Sequence, residues 1–420
     1  MTRGTALIVH PKPDGTVLNA ILSVCERVIV MSPATDTAEP SGLEARVAHY
    51  PYRTSDDPVA LACAIDREWP IAVAPPVWEG GVEPTAAICA ALGLRGNPSA
   101  AAAAARDKHA AAICFERHGV PHPRTGAFST SEEDRDRIER GFAYPFIVKS
   151  PWSTNSQSVT LVRTPEELRS CLAMLRRLYD PAERNRLSTL YADRDGDAPM
   201  LVQDYVEGIE LNIDILFAGG DWVVLGAFEK HPMPGPTFEE VQSMYPPRLS
   251  AEALDRCART AAEAVFALGG TIGAAHVELR VTDSGPVVIE VALRPGGFLT
   301  PLAIERLTGV HPVTALTRLL LTGELPTLPP PREGFACVYG AVNCALEGRI
   351  QSIGDERMVR ATVPEIVAFD LLKRPGDRVV PLPLGTDYHV ASFMLVGERR
   401  DALEVSAARI REQLQVVVTP

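Results

Sequence analysis

Apolar residues in the first hundred positions come in short runs separated by stretches of helical spacing. Residues 6–9, 28–31 and 71–74 are continuous four-residue apolar runs, the pattern of strands buried on both faces. Residues 17–27 carry helical spacing between runs, and residues 83–94 predict a helix stopped at Gly96. Strands alternating with helices predict a parallel sheet, whose ligands sit at the carboxyl ends of the strands. Pro75-Pro76-Val77-Trp78-Glu79-Gly80-Gly81 follows one such strand, so Trp78 and Glu79 are either plain loop residues or line a pocket. The alanine run at 100–105 predicts the start of a single helix reaching Phe115, ended by Gly119 and the prolines at 121 and 123.

From residue 142 the alternation resumes. Strands are predicted at 146–148, 159–162, 200–202, 210–217, 222–228, 276–282 and 286–291, with helices at 165–179 and 251–268. Asp283-Ser284-Gly285 turns the last two strands into a hairpin. Residues 231–248 are Pro-rich and predict a mobile loop. The Pro-rich segment 326–331 marks a boundary, after which further strands and a helix at 400–413 form a small appended α+β unit. The fold class is α/β and α+β multidomain, in four segments: 1–100, 101–199, 200–325 and 326–420.

Charge narrows the partners. Lys and Arg number 41 against 53 Asp and Glu, a net charge of −12, and no basic run appears, which argues against nucleic acid as a partner. No stretch has the roughly 18 apolar residues of a membrane helix, and the first apolar run is too short for a signal segment, so a cytoplasmic location without membrane contact is expected. The eight cysteines form no CxxC pair and sit largely in apolar runs, as buried reduced thiols do.

Candidate chemistry lies in five places. Glu278 and Glu290 fall in the two hairpin strands, where both carboxylates can face one side and repel unless a cation sits between them. Arg294 and the pair Gly296-Gly297 follow at the strand's end, where a guanidinium grips a carboxylate or phosphate and glycine admits close backbone approach. Lys149 ends a buried strand and precedes the small polar loop 153–158, a plausible phosphate cradle, whereas Lys108 by itself reads as a solvated helical lysine. The segment from Gln203 through Gly208 to Glu210 reads by itself as strand, turn and strand.

The order of these features resembles the ATP-grasp superfamily, and the amino-acid ligase branch of its carboxylate-amine ligases above all. The span 276–297 carries the likeness, together with Ala90-Ala91-Leu92-Gly93-Leu94-Arg95-Gly96, Arg106-Asp107-Lys108 and Gly119-Val120-Pro121. The resemblance implies an ATP-grasp fold with an N-terminal Rossmann-like parallel sheet domain and a C-terminal α+β subdomain. It implies ATP between two α+β halves, with Lys108 and Lys149 on its phosphates and a loop carrying Ser153 and Ser156 folded over them. Gln203, Asp204, Tyr205 and Val206 would meet the adenine edge, Glu210 the ribose, and Lys230 the phosphates. Glu278 and Glu290 would bind Mg²⁺, with Mn²⁺ as an alternative. Arg294 would steady the transferred phosphoryl group and bind substrate, Glu79 would stand near the amino acid, and Phe298 would bound its pocket. Arg294 and the backbone at Gly297 would stabilise the oxyanion, and His276 is a candidate base or a structural histidine.

Two departures stand out. The phosphate loop holds no glycine, with Asn155 and Ser158 where glycines are common, and Ala292 replaces an asparagine frequent after the second metal carboxylate. The expected reaction joins a small acid to an amine through an acyl phosphate, with loop 231–248 closing against water. A carrier-protein thiol as acceptor and a non-catalytic ATP-binding relic are the alternatives, and a homodimer is expected from the resemblance alone.

Overall fold

The computed structural model describes residues 4–32, 45–53, 56–179, 200–233 and 235–419. The first unit runs β1 (Thr5–Val9), α1 (Gly15–Leu22), β2 (Arg27–Ser32), β3 (Val47–Pro51), α2 (Pro58–Glu68), β4 (Ile71–Val73) and α3 (Val82–Leu92). Its four strands lie in the order β3-β2-β1-β4 and pair in parallel, as the apolar runs predict. Helix α1 is shorter than its spacing suggested, because Arg27 already opens β2. Helix α3 ends three residues before Gly96, at Gly93, whose φ of 65° is the left-handed cap. A single 3₁₀ turn, Glu79–Gly81, lies between β4 and α3; a Cβ on Gly81 would come within 2.5 Å of the Val9 carbonyl, so glycine seats this turn on the end of β1.

The alanine-rich helix is two helices, α4 (Ser99–Arg106) and α5 (Lys108–His118). Asp107 breaks it with φ −107° and ψ 106°, and its carboxylate caps α5 by accepting from the His109 and Ala110 N–H groups. The break turns Lys108 inward, 8% exposed, which corrects its reading as a solvated lysine. Next come β5 (Thr125–Phe128), α6 (Glu132–Gly141), β6 (Phe146–Lys149), β7 (Thr160–Val162), α7 (Pro165–Tyr179) and β8 (Met200–Asp204), an antiparallel sheet ordered β5-β8-β6-β7. Residues 200–204 thus belong to this sheet, and the chain crosses to the next one only afterwards. The part of segment 101–199 beyond residue 179 lies outside the described residues.

The central sheet holds β9 (Ile209–Ala218), β10 (Asp221–Lys230) and β11 (Gln242–Tyr245), then α8 (Ala251–Ala267), β12 (Ile272–Thr282) and β13 (Gly285–Ala292). Helices α9 (Thr300–Thr308) and α10 (Pro312–Thr322) lead to β14 (Ala336–Asn343), β15 (Gly348–Ile353), α11 (Glu356–Thr362), β16 (Ile366–Leu371), β17 (Arg378–Val379), β18 (His389–Gly397), α12 (Arg400–Gln413) and β19 (Val416–Thr419). Its order is β13-β12-β9-β10-β11-β14-β18-β16. Two expectations change here. The Pro-rich segment 231–248 contains β11, a strand of this sheet, so it is not a loop throughout. The last ninety or so residues are not merely appended: β14, β16 and β18 extend the same sheet, and β15, β17 and β19 form a small sheet of their own.

Polar and apolar residues alternate along β9 and β12, so the two faces differ sharply. Leu211, Ile213, Ile215, Ala275, Val277 and Leu279 are fully buried and pack with Ala261, Ala264 and Val265 of α8. The opposite face carries Glu210, Asn212, Asp214, His276, Glu278 and Arg280. Among the described residues no helix is long and apolar enough to cross a membrane, and the eight cysteines are unpaired.

Arg400 locks α12 to the edge of this arrangement. Its guanidinium donates to Glu229, the neighbour of Lys230, at 2.6 and 2.9 Å and to the Pro246 carbonyl at 2.8 Å. Arg400→Met leaves the Glu229 carboxylate without its main cation and should destabilise the fold by about 3 kcal/mol. The midpoint of urea unfolding reads this; an unchanged midpoint would show that the pair does not secure α12.

Candidate active site

The polar face of the central sheet floors a cavity of about 200 Å³ roofed by β5–β8 and their loops. Glu278 on β12 lies directly opposite Glu290 on β13, so the hairpin does bring the two carboxylates to one side. Each is met by a lysine: Lys230 Nζ is 2.9 Å from Glu278, and Lys108 Nζ is 3.1 Å from Glu290. Burial would raise the Glu278 carboxyl, but Lys230 and His276 outweigh it and hold its pKa well below the usual range. Burial alone would likewise lower Lys230; Glu278 and Glu210 push it well above an ordinary lysine instead.

Glu210 accepts from both sides. Lys230 reaches one oxygen at 3.1 Å, and Arg280 donates to the other from Nε and Nη2 at 3.0 and 2.8 Å. Arg280 also donates to the Val206 carbonyl at 2.7 Å and lies over the Tyr205 ring, which fixes the strand crossing between the two sheets. Gln203, Asp204, Tyr205 and Val206 all border the cavity. The Gln203 amide donates to Thr125, and the Asp204 carboxylate is paired with Arg124, so what this edge has to offer a ligand is chiefly its backbone.

Lys149 ends β6 and is 3% exposed, as its position after an apolar run predicts. Burial, reinforced by the nearby charge of Lys108, lowers its pKa to about 8 although Glu290 opposes the shift. The loop after it takes the backbone that glycine usually supplies: Asn155, Ser156 and Ser158 have φ of 52°, 55° and 64°. Left-handed residues of this kind cost about 1 kcal/mol or more each and persist only when their surroundings over-determine them. At the end of this loop the surroundings hold the chain in place. Ser158 Oγ accepts from the Ser150 N–H, the Ser158 N–H donates to the Pro383 carbonyl, and the Gln157 amide donates to the Leu384 carbonyl. The Lys108 ammonium donates to the Ser153 carbonyl at 2.5 Å. Ser153 and Ser156 border the cavity.

At the cavity's other end the N-terminal unit reaches in. Glu79 is buried between Arg106, 2.6 Å away, and Arg294, whose Nε is 2.5 Å away. Desolvation would raise its pKa, but Arg294 and Arg106 hold it at about 2. Arg294 is thereby fixed from a different unit, and Gly297 and Phe298 border the cavity beside it. Phe298 has φ of 53°, is 48% exposed, and stacks on His389 with centroids 5.9 Å apart. His276 is held by Asp214 at 2.9 Å, and its Nε2 is 3.9 Å from Glu278. Burial disfavours the imidazolium, yet Asp214 and Glu278 raise its pKa above that of a free histidine. Asp214 also accepts from the Gly296 N–H at 2.6 Å, so one buried carboxylate sets both the histidine and the turn carrying Arg294.

The structure therefore gathers the site residues implied by the resemblance around one cavity, whereas Trp78, the other pocket candidate of its loop, packs near His10 and does not border it. Beside the cavity stand Asn212, Asp214, Arg280 and Arg106, to which the sequence reading gave no part in the site; Asn212 and Arg280 border it, and Asp214 and Arg106 hold residues that do. Asn212 and Asp214 carried a signal: polar residues at 210, 212 and 214 alternate with apolar ones along an otherwise buried strand. Arg280 repeats it two residues after Glu278. Met233, Phe238 and Glu240, which precede β11, border the cavity, and nearby Thr237 bridges to Thr160. Glu278 and Glu290, with an uncompensated amide oxygen on Asn212 beside them, are a hard-oxygen donor set of the kind Mg²⁺ takes together with phosphate oxygens.

Comparisons with known proteins point the same way. Residues 142–301 match the ATP-grasp domain family. The chain is 28% identical over 268 residues to carnosine synthase 1 of Mus musculus, covering 61% of this chain and 32% of that protein. It is 25% identical over 364 residues to the alanine–anticapsin ligase of Bacillus subtilis (strain 168), covering 80% of this chain and 75% of that protein. The chain thus spans about a third of the length of the carnosine synthase it matches. The crystal structure of an L-amino acid ligase from Bacillus licheniformis shares the fold over 100% of both chains, with a TM-score of 0.79 at 19% identity.

The buried Glu79 gives a pH test. Its folded pKa is depressed, so its contribution to stability is complete above the unfolded value near 4.5 and is lost as pH falls towards about 2. Glu79→Gln should therefore be less stable than wild type by about 3 kcal/mol at pH 7, with the gap narrowing below pH 4.5. Urea midpoints across pH check it, and a gap independent of pH would refute the ion-pair account.

Proposed function

The chain belongs to the ATP-grasp superfamily, and from that premise we propose that it is an ATP- and Mg²⁺-dependent carboxylate-amine ligase. It activates a small carboxylic acid, an amino acid foremost, as an acyl phosphate and joins it to an amine, with ADP and phosphate released. The observation that carries the reading is the convergence of Glu278, Glu290, Lys108, Lys149, Lys230 and Arg294 on one cavity. Such a set handles a polyphosphate, a divalent cation and a carboxylate together.

Bound ATP and Mg²⁺ supply the phosphoryl group and the positive charge that turn a carboxylate oxygen into part of a leaving phosphate. The protein's share is positioning and electrostatics. Lys108, Lys149 and the loop around Ser153 and Ser156 hold the phosphates, and Lys230 supports them from β10. Glu278 and Glu290 hold the cation. Backbone groups from Gln203 to Val206 meet the base, and Glu210 meets the ribose. Arg294, fixed at Nε by Glu79, keeps guanidinium N–H groups for the acid and then for the oxyanion, beside the Gly297 backbone. Phe298 bounds the acid's side chain. His276 is held by Asp214, which raises its pKa, and its Nε2 lies 3.9 Å from Glu278, a placement that fits a positioning role better than that of a proton acceptor. Met233 and Phe238 cover the cavity and keep water from the acyl phosphate.

The glycine-free loop, which motivates the reading as a relic, favours it less once Asn155, Ser156 and Ser158 adopt left-handed backbone without glycine. Similarity to an alanine–anticapsin ligase supports an amine acceptor and a role in the synthesis of peptide-type antibiotics.

The test is Mg²⁺- and ATP-dependent phosphate release from the pure chain against a panel of amino acids and other small acids, each with and without a second amine. Release that needs one acid and rises with one amine, with an amide of the matching mass, is the expected result. Glu290→Ala should lower it on the order of 100-fold, and near-wild-type release in that variant would refute the cation assignment. A thioester product would move the acceptor from an amine to a thiol.

A further inference from the structure

Every side-chain oxygen of Glu210, Asn212 and Asp214, on the polar face of β9, has a donor except one. Glu210 is bound by Lys230 and Arg280, and Asp214 by His276 and the Gly296 N–H. Asn212 stands between them, 2% exposed, and its Oδ1 meets no donor. Native interiors rarely leave a buried acceptor unmatched, and those that do are commonly waiting for an ion, a water or a ligand.

The register shows what it waits beside. Asn212 lies directly opposite Glu278, and Glu278 directly opposite Glu290, so the three side chains form one row across β9, β12 and β13. All three border the same cavity. On its other side Asn212 faces Phe228 of β10, fully buried and without a donor. Ala292 also borders the cavity and offers only a methyl group. A third carboxylate in this row would add to the repulsion between Glu278 and Glu290, whereas an amide oxygen adds a hard ligand without charge.

We propose that Asn212 Oδ1 is a third protein ligand, with Glu278 and Glu290, for the divalent cation of the nucleotide complex. The inference rests on the ligase reading above. It makes the cation site a property of three adjacent strands rather than of the β12–β13 hairpin alone, and places its neutral ligand on the strand that also carries Glu210.

The experiment titrates Mn²⁺, read by electron paramagnetic resonance, into the full chain saturated with the β,γ-imido analogue of ATP. Turnover plays no part in the readout. Asn212→Ala should weaken Mn²⁺ binding about tenfold, while affinity for the analogue without metal stays as in wild type. Asn212→Asp, nearly isosteric, should hold Mn²⁺ as tightly as wild type or more tightly. Unchanged Mn²⁺ affinity in folded Asn212→Ala would overturn the proposal. So would loss of Mn²⁺ or nucleotide binding in Asn212→Asp, which would mark the amide as a donor to phosphate; this variant decides the matter should Asn212→Ala not fold. Failure of the wild type to bind Mn²⁺ with the analogue would instead overturn the ligase reading itself, and this inference with it.

Discussion

Four carboxylates that line the cavity each have a cation beside them. An uncompensated ion there would cost several kcal/mol, far more than any one hydrogen bond returns. Glu79 has Arg106 and Arg294, Glu210 has Lys230 and Arg280, Glu278 has Lys230, and Glu290 has Lys108. The partners come from different parts of the chain: a turn of the parallel-sheet unit, the ends of α4 and α5, the end of β10 and the turn after β13. Charge balance therefore assembles the site and also ties these elements to one another.

The same balance makes the site responsive to a ligand. Lys108 and Lys230 are held by carboxylates that a divalent cation would claim, and a polyphosphate would claim the lysines in return. Exchange of partners, rather than burial of new charge, is what binding asks of the protein. Lys149, with its pKa lowered to about 8, is the lysine with most to gain from an incoming anion.

Local pattern made much of this legible in the sequence. Four-residue apolar runs gave the parallel strands, and the two acids of the hairpin could be expected on one side, although a bulge between Glu278 and Leu279, not the turn alone, sets them directly opposite each other. What escaped depends on long-range placement or on a single backbone break. Nothing in an alanine run announces that Asp107 will cap a second helix and turn Lys108 inward. Arg106 gains meaning only when Glu79, from another unit, is brought against it. The loop after Lys149 could not be judged by counting glycines, because its left-handed Ser158 is held by the Pro383 carbonyl and the neighbouring Gln157 by that of Leu384, far along the chain. His389, which backs Phe298 at the edge of the cavity, reaches it only because β18 extends the central sheet. The alternation at 210, 212 and 214 was readable from the start, and it marks the polar face on which the site is built.

The account's central claim is that a carboxylate oxygen of the acid becomes part of the phosphate. The measurement that tests it most directly uses the acid labelled with ¹⁸O in its carboxyl group, with ATP, Mg²⁺ and the amine, followed by mass analysis of the released phosphate. The account predicts a single ¹⁸O in each phosphate, formed in step with the amide. Amide formation with unlabelled phosphate would contradict it.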